Sequence, residues 1–246
     1  LLVQIEEGRT LVTATLDVTR RQSGVAPLTL DGEQLELEWV ELDGVRLEST
    51  QYGVTDTQLV IASVSDRFTL RTRVIINPEE NTSLEGFYRS QSAYCTQCEA
   101  EGFRRITYYP DRPDVMSIFT TRIISDPSYP VLLSNGNPTE DHQSPDGRRE
   151  VTWHDPFPKP CYLFALVGGD LAVKHDRFVT LSGRPIDLRI YVEEKDLDRV
   201  DYALESLKRA MAWDERVYGR EYDLDIFMIV AVSHFNMGAM ENKGLN

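Results

Sequence analysis

Apolar and polar residues alternate one by one through most of the first 170 residues, and this period of two restricts the fold more than any other feature of the chain. In residues 12–18, and again in residues 68–76, nearly every second residue is apolar, which is typical of a half-buried strand. Pairs that favour tight turns separate such runs; they are Asp31-Gly32, Asp43-Gly44, Asn77-Pro78, Asn135-Gly136 and Asp155-Pro156. Many short strands between turn signals predict an all-β sandwich, with the two Asp-Gly pairs as hairpin turns.

The pattern changes after Asp170. Residues 186–192 still alternate, but the apolar residues that follow recur at spacings of three and four, which predicts an amphipathic helix; they are Leu197, Val200, Leu204, Leu207 and Met211. We expect Asp196 to cap the start of this helix and Gly219 to end it. The apolar run 226–232 then predicts a buried strand. Because strand, helix and strand open a mixed α/β domain, we divide the chain into a β domain of residues 1–170 and a second, incomplete domain in residues 171–246.

Composition excludes several classes of partner. A net charge of −14 and a pI near 4.7 argue against binding to nucleic acid, which needs basic surfaces. No apolar stretch reaches the roughly 18 residues that span a bilayer, so we expect no membrane partner. Three cysteines are too few for a disulfide framework and favour a reducing compartment, the cytoplasm. The chain opens at Leu1 without a signal-like stretch, so we expect a removed leader or a start inside a longer protein.

Residues 237–242 are the segment whose composition best suits a binding function. Gly238 has no Cβ and Ala239 is small, so another backbone can approach closely there. Glu241 adds a carboxylate a few residues further on. An extended segment of this kind can pair with a substrate backbone as an added strand. On composition alone, a plain turn with a solvated Glu241 is the simpler interpretation.

The string FNMGAMENKG, residues 235–244, resembles the exopeptidase signature of the aminopeptidase N family of zinc metallopeptidases in its bacterial form. Three further stretches are similar to that family, in the right order along the chain: QCEAEGFR (97–104), YPDRPDV (109–115) and DPFPKPCYLF (155–164). The similarity runs from about Leu84 to the C-terminus, with a weaker β-rich match before it. It implies a mainly β chain in which a β-sandwich or saddle-like domain precedes the first, incomplete α/β part of a thermolysin-like catalytic domain.

The resemblance also implies a substrate-binding set. In the family, the residues matching Glu99 and Glu241 together bind the α-ammonium of a peptide. Gly238 and Ala239 line the scissile region through their main chain, and Met237 and Gln97 line the first side-chain pocket. Met240 and Asn242 complete the same signature. Glu101 shares a face with Glu99 if the segment is extended, but the family uses the first Glu, so we favour Glu99.

A role for zinc is expected only because of the family resemblance. In the family two His and a Glu hold the metal, which activates a water, and the Glu within the His-Glu-x-x-His motif acts as general base. Residues 1–246 lack that motif. The resemblance therefore implies part of a hydrolase that removes N-terminal amino acids from peptides, joined to the remainder of its catalytic domain. In this chain we expect amine recognition but no catalytic residue, no metal ligand, no bound zinc and no activity in isolation.

Other interpretations remain. A relative that has lost the zinc motif would be a non-catalytic peptide-binding module. A bifunctional enzyme like the leukotriene hydrolases would carry Gly-Gly-Met-Glu-Asn, and Ala239 argues against it. The Cys95-x-x-Cys98 pair lacks two further ligands for structural zinc, with only Cys161 remaining, and its strand-like setting does not suit a redox motif. The four His lack helical ligand spacing; we expect His234 to pack against or rim the site.

Overall fold

The computed structural model describes residues 1–21, 24 and 26–246. These residues form eighteen strands, one α-helix (α1, Asp201–Tyr218) and three 3-10 helices (Phe103–Arg105, Cys161–Leu163 and Glu194–Arg199). The strands in chain order are β1 Leu2–Glu6, β2 Arg9–Thr19, β3 Leu28–Asp31, β4 Glu36–Leu42, β5 Val45–Arg46, β6 Tyr52–Val54, β7 Gln58–Ile61, β8 Arg67–Ile76, β9 Gly86–Ser90, β10 Ala93–Gln97, β11 Ser117–Ser125, β12 Val131–Ser134, β13 Asn137–Gln143, β14 Arg149–Lys159, β15 Leu166–Gly169, β16 Ala172–Val179, β17 Pro185–Val192 and β18 Ile226–Val230.

An eight-stranded sheet forms one wall of the β-rich part, in the order β13-β14-β11-β1-β2-β8-β4-β5. Its pairs are antiparallel except for β1 and β11, which run parallel. In β8 every second residue from Phe68 to Ile76 is buried, so the alternation in the sequence corresponds to one face turned inward. The predicted strands in residues 12–18 and 68–76 are confirmed.

Two smaller sheets complete this core. They have the orders β12-β15-β10-β9 and β3-β7-β6. One cluster of buried side chains includes Val12 from the large sheet, Tyr94 from the four-stranded sheet and Leu59 from the three-stranded sheet. The prediction of a mainly β chain is confirmed, with three sheets sharing one apolar core.

The two Asp-Gly pairs differ in outcome. Asp43 and Gly44 both have positive φ angles, 51° and 79°, and they connect β4 to β5 as a hairpin, as predicted. The predicted hairpin at Asp31-Gly32 is wrong, because β3 pairs with β7 whereas β4 pairs with β8. Gly32 is required there for a different reason: a Cβ on it would lie 2.2 Å from the Tyr108 ring. The dipeptide Asp-Gly alone does not show whether the glycine is needed for a hairpin turn or to leave room for an aromatic ring.

A smaller layer follows β15. The three-stranded sheet β16-β17-β18, in which β17 and β18 are parallel, packs against α1 through a second apolar cluster. The predicted helix stripe is confirmed: its members that are buried or packed against this cluster are Leu197, Val200, Leu204, Leu207 and Met211. Gly219 ends α1 with a φ of 63°, as predicted. None of the described helices combines the length and apolar composition of a bilayer crossing.

The predicted cap at Asp196 is wrong. Asp196 lies inside the 3-10 helix, where it accepts a hydrogen bond from Arg199, and α1 begins only at Asp201. The separate 3-10 turn takes up the first residues of the apolar stripe, and this is why the stripe starts before the α-helix does.

The two layers are not independent. Tyr191, Ile226, Met228 and Leu245 belong to the large β core rather than to the cluster beneath α1. Leu245 also forms a parallel bridge with Met228, which brings the end of the chain alongside β18. Sheet membership changes between β15 and β16, close to residue 170, but the shared core means that the division at residue 170 stays a prediction.

Candidate functional site

Glu99 lies in a tight turn between β10 and the 3-10 helix Phe103–Arg105. The backbone N–H of Gly102 donates to the carbonyl of Cys98 at 2.9 Å and closes the turn, which contains a cis peptide between Glu99 and Ala100. A Cβ on Gly102 would lie 2.5 Å from the carbonyl oxygen of Gln97, so only glycine fits this close approach. The turn therefore holds the half-buried Glu99 beside the end of β10.

The two carboxylates of this turn have different surroundings. Glu101 forms an ion pair with Arg104, at 3.2 Å from Nη1. The side chain of Glu99 has neither a hydrogen bond nor an ion-pair partner among the residues that the structure describes. Of the two carboxylates in this turn, Glu99 is thus the one without a cation partner among the described residues, and its role in amine binding stays a prediction.

The segment 237–242 alternates between exposed and buried residues near its end. Met240 and Asn242 are buried, whereas Glu241 between them is exposed. Gly238 and Ala239 are exposed, and a Cβ on Gly238 would meet nothing within 4 Å. The main chain at these two positions is open, and Glu241, like Glu99, has no ion-pair partner in the described part of the chain.

Hydrogen bonds fix both ends of this segment. Upstream, the N–H of His234 donates to Ser90 Oγ, and the hydroxyl of Tyr88 donates to the His234 carbonyl, both at 3.0 Å. Downstream, Asn135 Nδ2 donates to the Lys243 carbonyl at 3.0 Å. Since Ser90, Tyr88 and Asn135 belong to the β-rich part, the exposed residues 238–239 are held between two anchors on it.

Gln97 connects the segment to the Glu99 turn. Its Nε2 lies 3.5 Å from the Glu99 carbonyl oxygen and 3.8 Å from Sδ of Met240. Its Oε1 is buried without a hydrogen-bond partner, and so is Oδ1 of Asn242. An unsatisfied buried acceptor is costly, by about 1–3 kcal/mol each. The two predicted stretches thus meet, and each contains one buried acceptor without a hydrogen-bond partner among the described residues.

Of the predicted substrate-binding residues, the structure brings Gln97 into contact with the Glu99 carbonyl and with Met240; the assembly of the full set and the separation of the two carboxyl groups stay predictions. The contact that joins the stretches involves the Glu99 main chain and the Met240 side chain. Met237 is 40% exposed beside the open Gly238. His234 takes part through its backbone, with an exposed side chain.

Cys95, Cys98 and Cys161 are buried and free. Burial raises the pKa of Cys95 to about 11 and also raises the pKa of Cys98 and Cys161. A buried thiol of this kind is protonated and unreactive at neutral pH. The described residues contain no group of three or more His, Cys, Asp or Glu side chains arranged to hold a metal ion.

Two contacts near the site escaped the sequence analysis. Asn135 was interpreted only as a turn residue, yet its side chain bonds the Lys243 carbonyl. Arg104 donates to Asp111 from both its backbone N and its Nε. Both Arg104 and Asp111 lie in the stretches quoted for their similarity, which was the available signal.

Comparison with known proteins identifies relatives over the whole chain. The family described as Peptidase M1 N-terminal domain matches residues 6–163, and the Peptidase family M1 domain matches residues 202–246. Aminopeptidase N of Caulobacter vibrioides is 54% identical over 246 residues and aminopeptidase N of Escherichia coli K12 is 53% identical over 247, each covering 100% of this chain. The chain spans 28% of the length of each. A crystal structure of Legionella pneumophila aminopeptidase A in complex with aspartic acid superposes with a TM-score of 0.94 at 36% identity, covering 100% of this chain and 29% of that one.

Proposed function

Because this chain belongs to the Peptidase M1 N-terminal domain family, we propose that it forms the part of a zinc-dependent aminopeptidase that recognises the free α-amine of a peptide. The full-length protein removes N-terminal amino acids from peptides. Its relatives at 54% and 53% identity are named aminopeptidase N, and the superposed relative was crystallised with an amino acid. The chain's partners are peptides with a free N-terminus and the remainder of the catalytic domain.

Three carboxylates in these stretches differ in whether they have a cation partner, and this difference is the main support for the proposal. Glu101 is paired with Arg104, whereas Glu99 and Glu241 have no cation partner among the described residues. Gln97 contacts both of the stretches that carry them. Two carboxylates without counter-ions, on two stretches in contact, suit a ligand that supplies one positive charge.

An ammonium is the charge that an exopeptidase must detect. The end of a peptide differs from its middle by one positive group, and each charge-assisted hydrogen bond to it is worth about 1.5–3 kcal/mol. A mid-chain amide leaves both carboxylates unpaired, so selectivity also comes from a penalty on the wrong ligand.

The remaining residues bind the rest of the substrate. Gly238 and Ala239 present open main chain to the peptide, which allows pairing as an added strand. Met237 and Gln97 line the pocket for the first side chain. The exposed thioether of Met237 adapts to different side-chain shapes.

Zinc belongs to the proposal only as part of the longer protein. The described residues contain no cluster that fits a metal ion, and none of the binding steps above runs through zinc. Bound elsewhere in the full-length protein, zinc supplies the activated water for peptide hydrolysis. We also propose a cytoplasmic location, which the three free cysteines support.

The test compares kcat/KM of the full-length protein on a short alanine peptide with kcat/KM on its N-acetylated form. Wild type should cleave only the free amine. Glu99→Gln should lower kcat/KM by roughly 10- to 100-fold, because one charge-assisted contact is lost. Glu101→Gln is the matched control: its exposed side chain already pairs with Arg104, and the Gln amide oxygen can still accept that hydrogen bond, so kcat/KM should remain within about threefold. Equal losses in the two variants, or cleavage of the acetylated peptide at the same rate, would contradict amine recognition.

A further inference from the structure

The Glu99 turn has one attachment that the proposed function does not explain. Arg104 follows the turn directly and donates to Oδ2 of Asp111 twice, from its backbone N at 3.1 Å and from Nε at 3.0 Å. Its Nη2 lies 3.4 Å from the Asp111 carbonyl oxygen. Arg104 is therefore hydrogen-bonded to both the side chain and the main chain of Asp111.

Asp111 is itself held from several sides. Its side chain is 2% exposed. The Cys161 thiol donates to its Oδ1 at 3.0 Å, and its own backbone N–H donates to Asp31 Oδ2 at 3.1 Å. A carboxylate fixed by contacts from different elements is a rigid reference point within the core.

The other end of Arg104 faces the turn. Its Nη1 lies 3.2 Å from Glu101, the residue two positions after Glu99. Phe103, its neighbour, is completely buried between Tyr109, Phe119 and Phe164. The conformation of residues 98–102 is thus determined on one side by β10 and on the other by Arg104 and Phe103.

From this geometry we infer that the Arg104–Asp111 pair is a positioning pair, which holds the turn so that the Glu99 carboxylate faces the substrate amine. This inference rests on the proposed function of Glu99. Arg104 touches no substrate; it acts through the placement of Glu99. Because displacement of a binding group by about 1 Å can cost up to about 100-fold in rate, loss of this restraint should weaken amine binding without removing the carboxylate.

The experiment is a double-mutant cycle on kcat/KM of the full-length protein with a free-amine alanine peptide. Arg104→Lys keeps the positive charge but loses the planar fork that reaches Asp111 from two atoms. We expect it to lower kcat/KM about tenfold, mainly through KM, when Glu99 is present. In the Glu99→Gln background the same substitution should change kcat/KM by less than about twofold.

Arg105→Lys is the matched control. Arg105 is in the same 3-10 helix and is similarly buried, but it contacts Glu33, Glu85 and Gln34 instead of Asp111. Its substitution should leave kcat/KM nearly unchanged in both backgrounds. If Arg104→Lys does not fold, as judged by its melting temperature, Asp111→Asn replaces it in the same cycle, because it keeps the side-chain volume and removes the charge.

The outcomes separate the two hypotheses. An equal loss with and without Glu99, no loss with Arg104→Lys, or the same loss with Arg105→Lys would each overturn the positioning role while leaving the proposed function intact. If Glu99→Gln alone has no effect, the amine-binding role of Glu99 is wrong, and the inference about Arg104 is overturned with it.

Discussion

The side-chain amide nitrogen of Gln97 lies 3.8 Å from the sulfur of Met240, although 143 positions separate the two residues. Gln97 ends β10 of the β-rich part, and Met240 lies after β18, the last strand. This contact therefore joins the turn that carries Glu99 to the segment that carries Glu241. It follows that substitutions in the two stretches should affect the same ligand.

Glu241→Gln in the full-length protein should weaken the turnover of peptides with a free N-terminus far more than it affects folding. Glu241 is exposed and has no ion-pair partner in the described part of the chain, so its loss removes little native interaction. Loss of one charge-assisted contact to the ammonium should cost about 2–4 kcal/mol in kcat/KM. Kinetics, circular dichroism and melting temperature measured together check this; unchanged kinetics would exclude the amine-binding role.

Gly136→Ala should destabilise the chain strongly. Gly136 has a φ of +93°, and a Cβ on it would lie 2.1 Å from the carbonyl oxygen of His154. We expect a loss of more than about 2 kcal/mol. Gly147→Ala is the control: it has a φ of +88° but nothing within 4 Å, so only the backbone preference is lost, about 1 kcal/mol. Chemical denaturation measures both.

The effect of Gly136→Ala should reach the candidate site. Asn135, its neighbour, bonds the Lys243 carbonyl, so faster amide hydrogen exchange is expected at Leu245 and Asn246 as well. Equal losses of stability in Gly136→Ala and Gly147→Ala would mean that the overlap with His154 is relieved easily, and the prediction would be wrong.

Local patterns predicted the elements, because a period of two or of 3.6 states directly which face is buried. The β8 strand and the α1 stripe follow from this. The same reasoning was wrong at Asp31-Gly32 and at Asp196, where the deciding contacts are a ring from residue 108 and a separate 3-10 turn. No periodicity predicts that Gln97 meets Met240; only the family resemblance placed both in one site. Gln97 and Met240 are brought together by the packing of elements that are distant in the sequence, and local patterns carry no information about such contacts.

The isolated 246-residue chain should bind no stoichiometric zinc and hydrolyse no aminoacyl substrate. The described residues contain no metal-binding cluster, and burial keeps the pKa of all three cysteines above the ordinary value, whereas zinc needs the thiolate. Elemental analysis after dialysis, with an alanyl-anilide assay of the same sample, checks both statements. About one zinc per chain together with hydrolysis would overturn them.

Lys159 should add to the free energy of unfolding a contribution that rises with pH in the alkaline range, opposite in sign to the contribution of the buried cysteines, whose pKa values are raised. Burial lowers its pKa from 10.5 to about 8, although Asp155 at 3.0 Å opposes the shift. Between about pH 8 and about pH 10.5 the unfolded chain then binds more protons than the folded chain, so the contribution of Lys159 to the free energy of unfolding increases with pH.

A variant with both Lys159→Met and Asp155→Asn removes the pair and serves as the reference for that pH dependence, since all other titrating groups are shared. The difference in free energy of unfolding, wild type minus variant, should grow in favour of wild type as the pH rises. A difference that is constant with pH, or that falls, would show that Lys159 keeps its ordinary pKa in the folded chain.

Finally, Glu99 and Glu241 should bind the same ammonium. In a crystal structure of the full-length protein with a bound amino acid, a carboxyl oxygen of each residue should lie within about 4 Å of the ligand nitrogen, the limit for an ion pair. The two carboxyl groups should then be within roughly 8 Å of each other. For two glutamates on separate layers of a folded chain, the expected separation without a shared ligand is of the order of the domain size, tens of ångströms. The side-chain contact between Gln97 and Met240 shows that the two stretches meet. Carboxyl groups more than about 12 Å apart in the complex, or an ammonium bound by Glu241 alone, would remove Glu99 from the site.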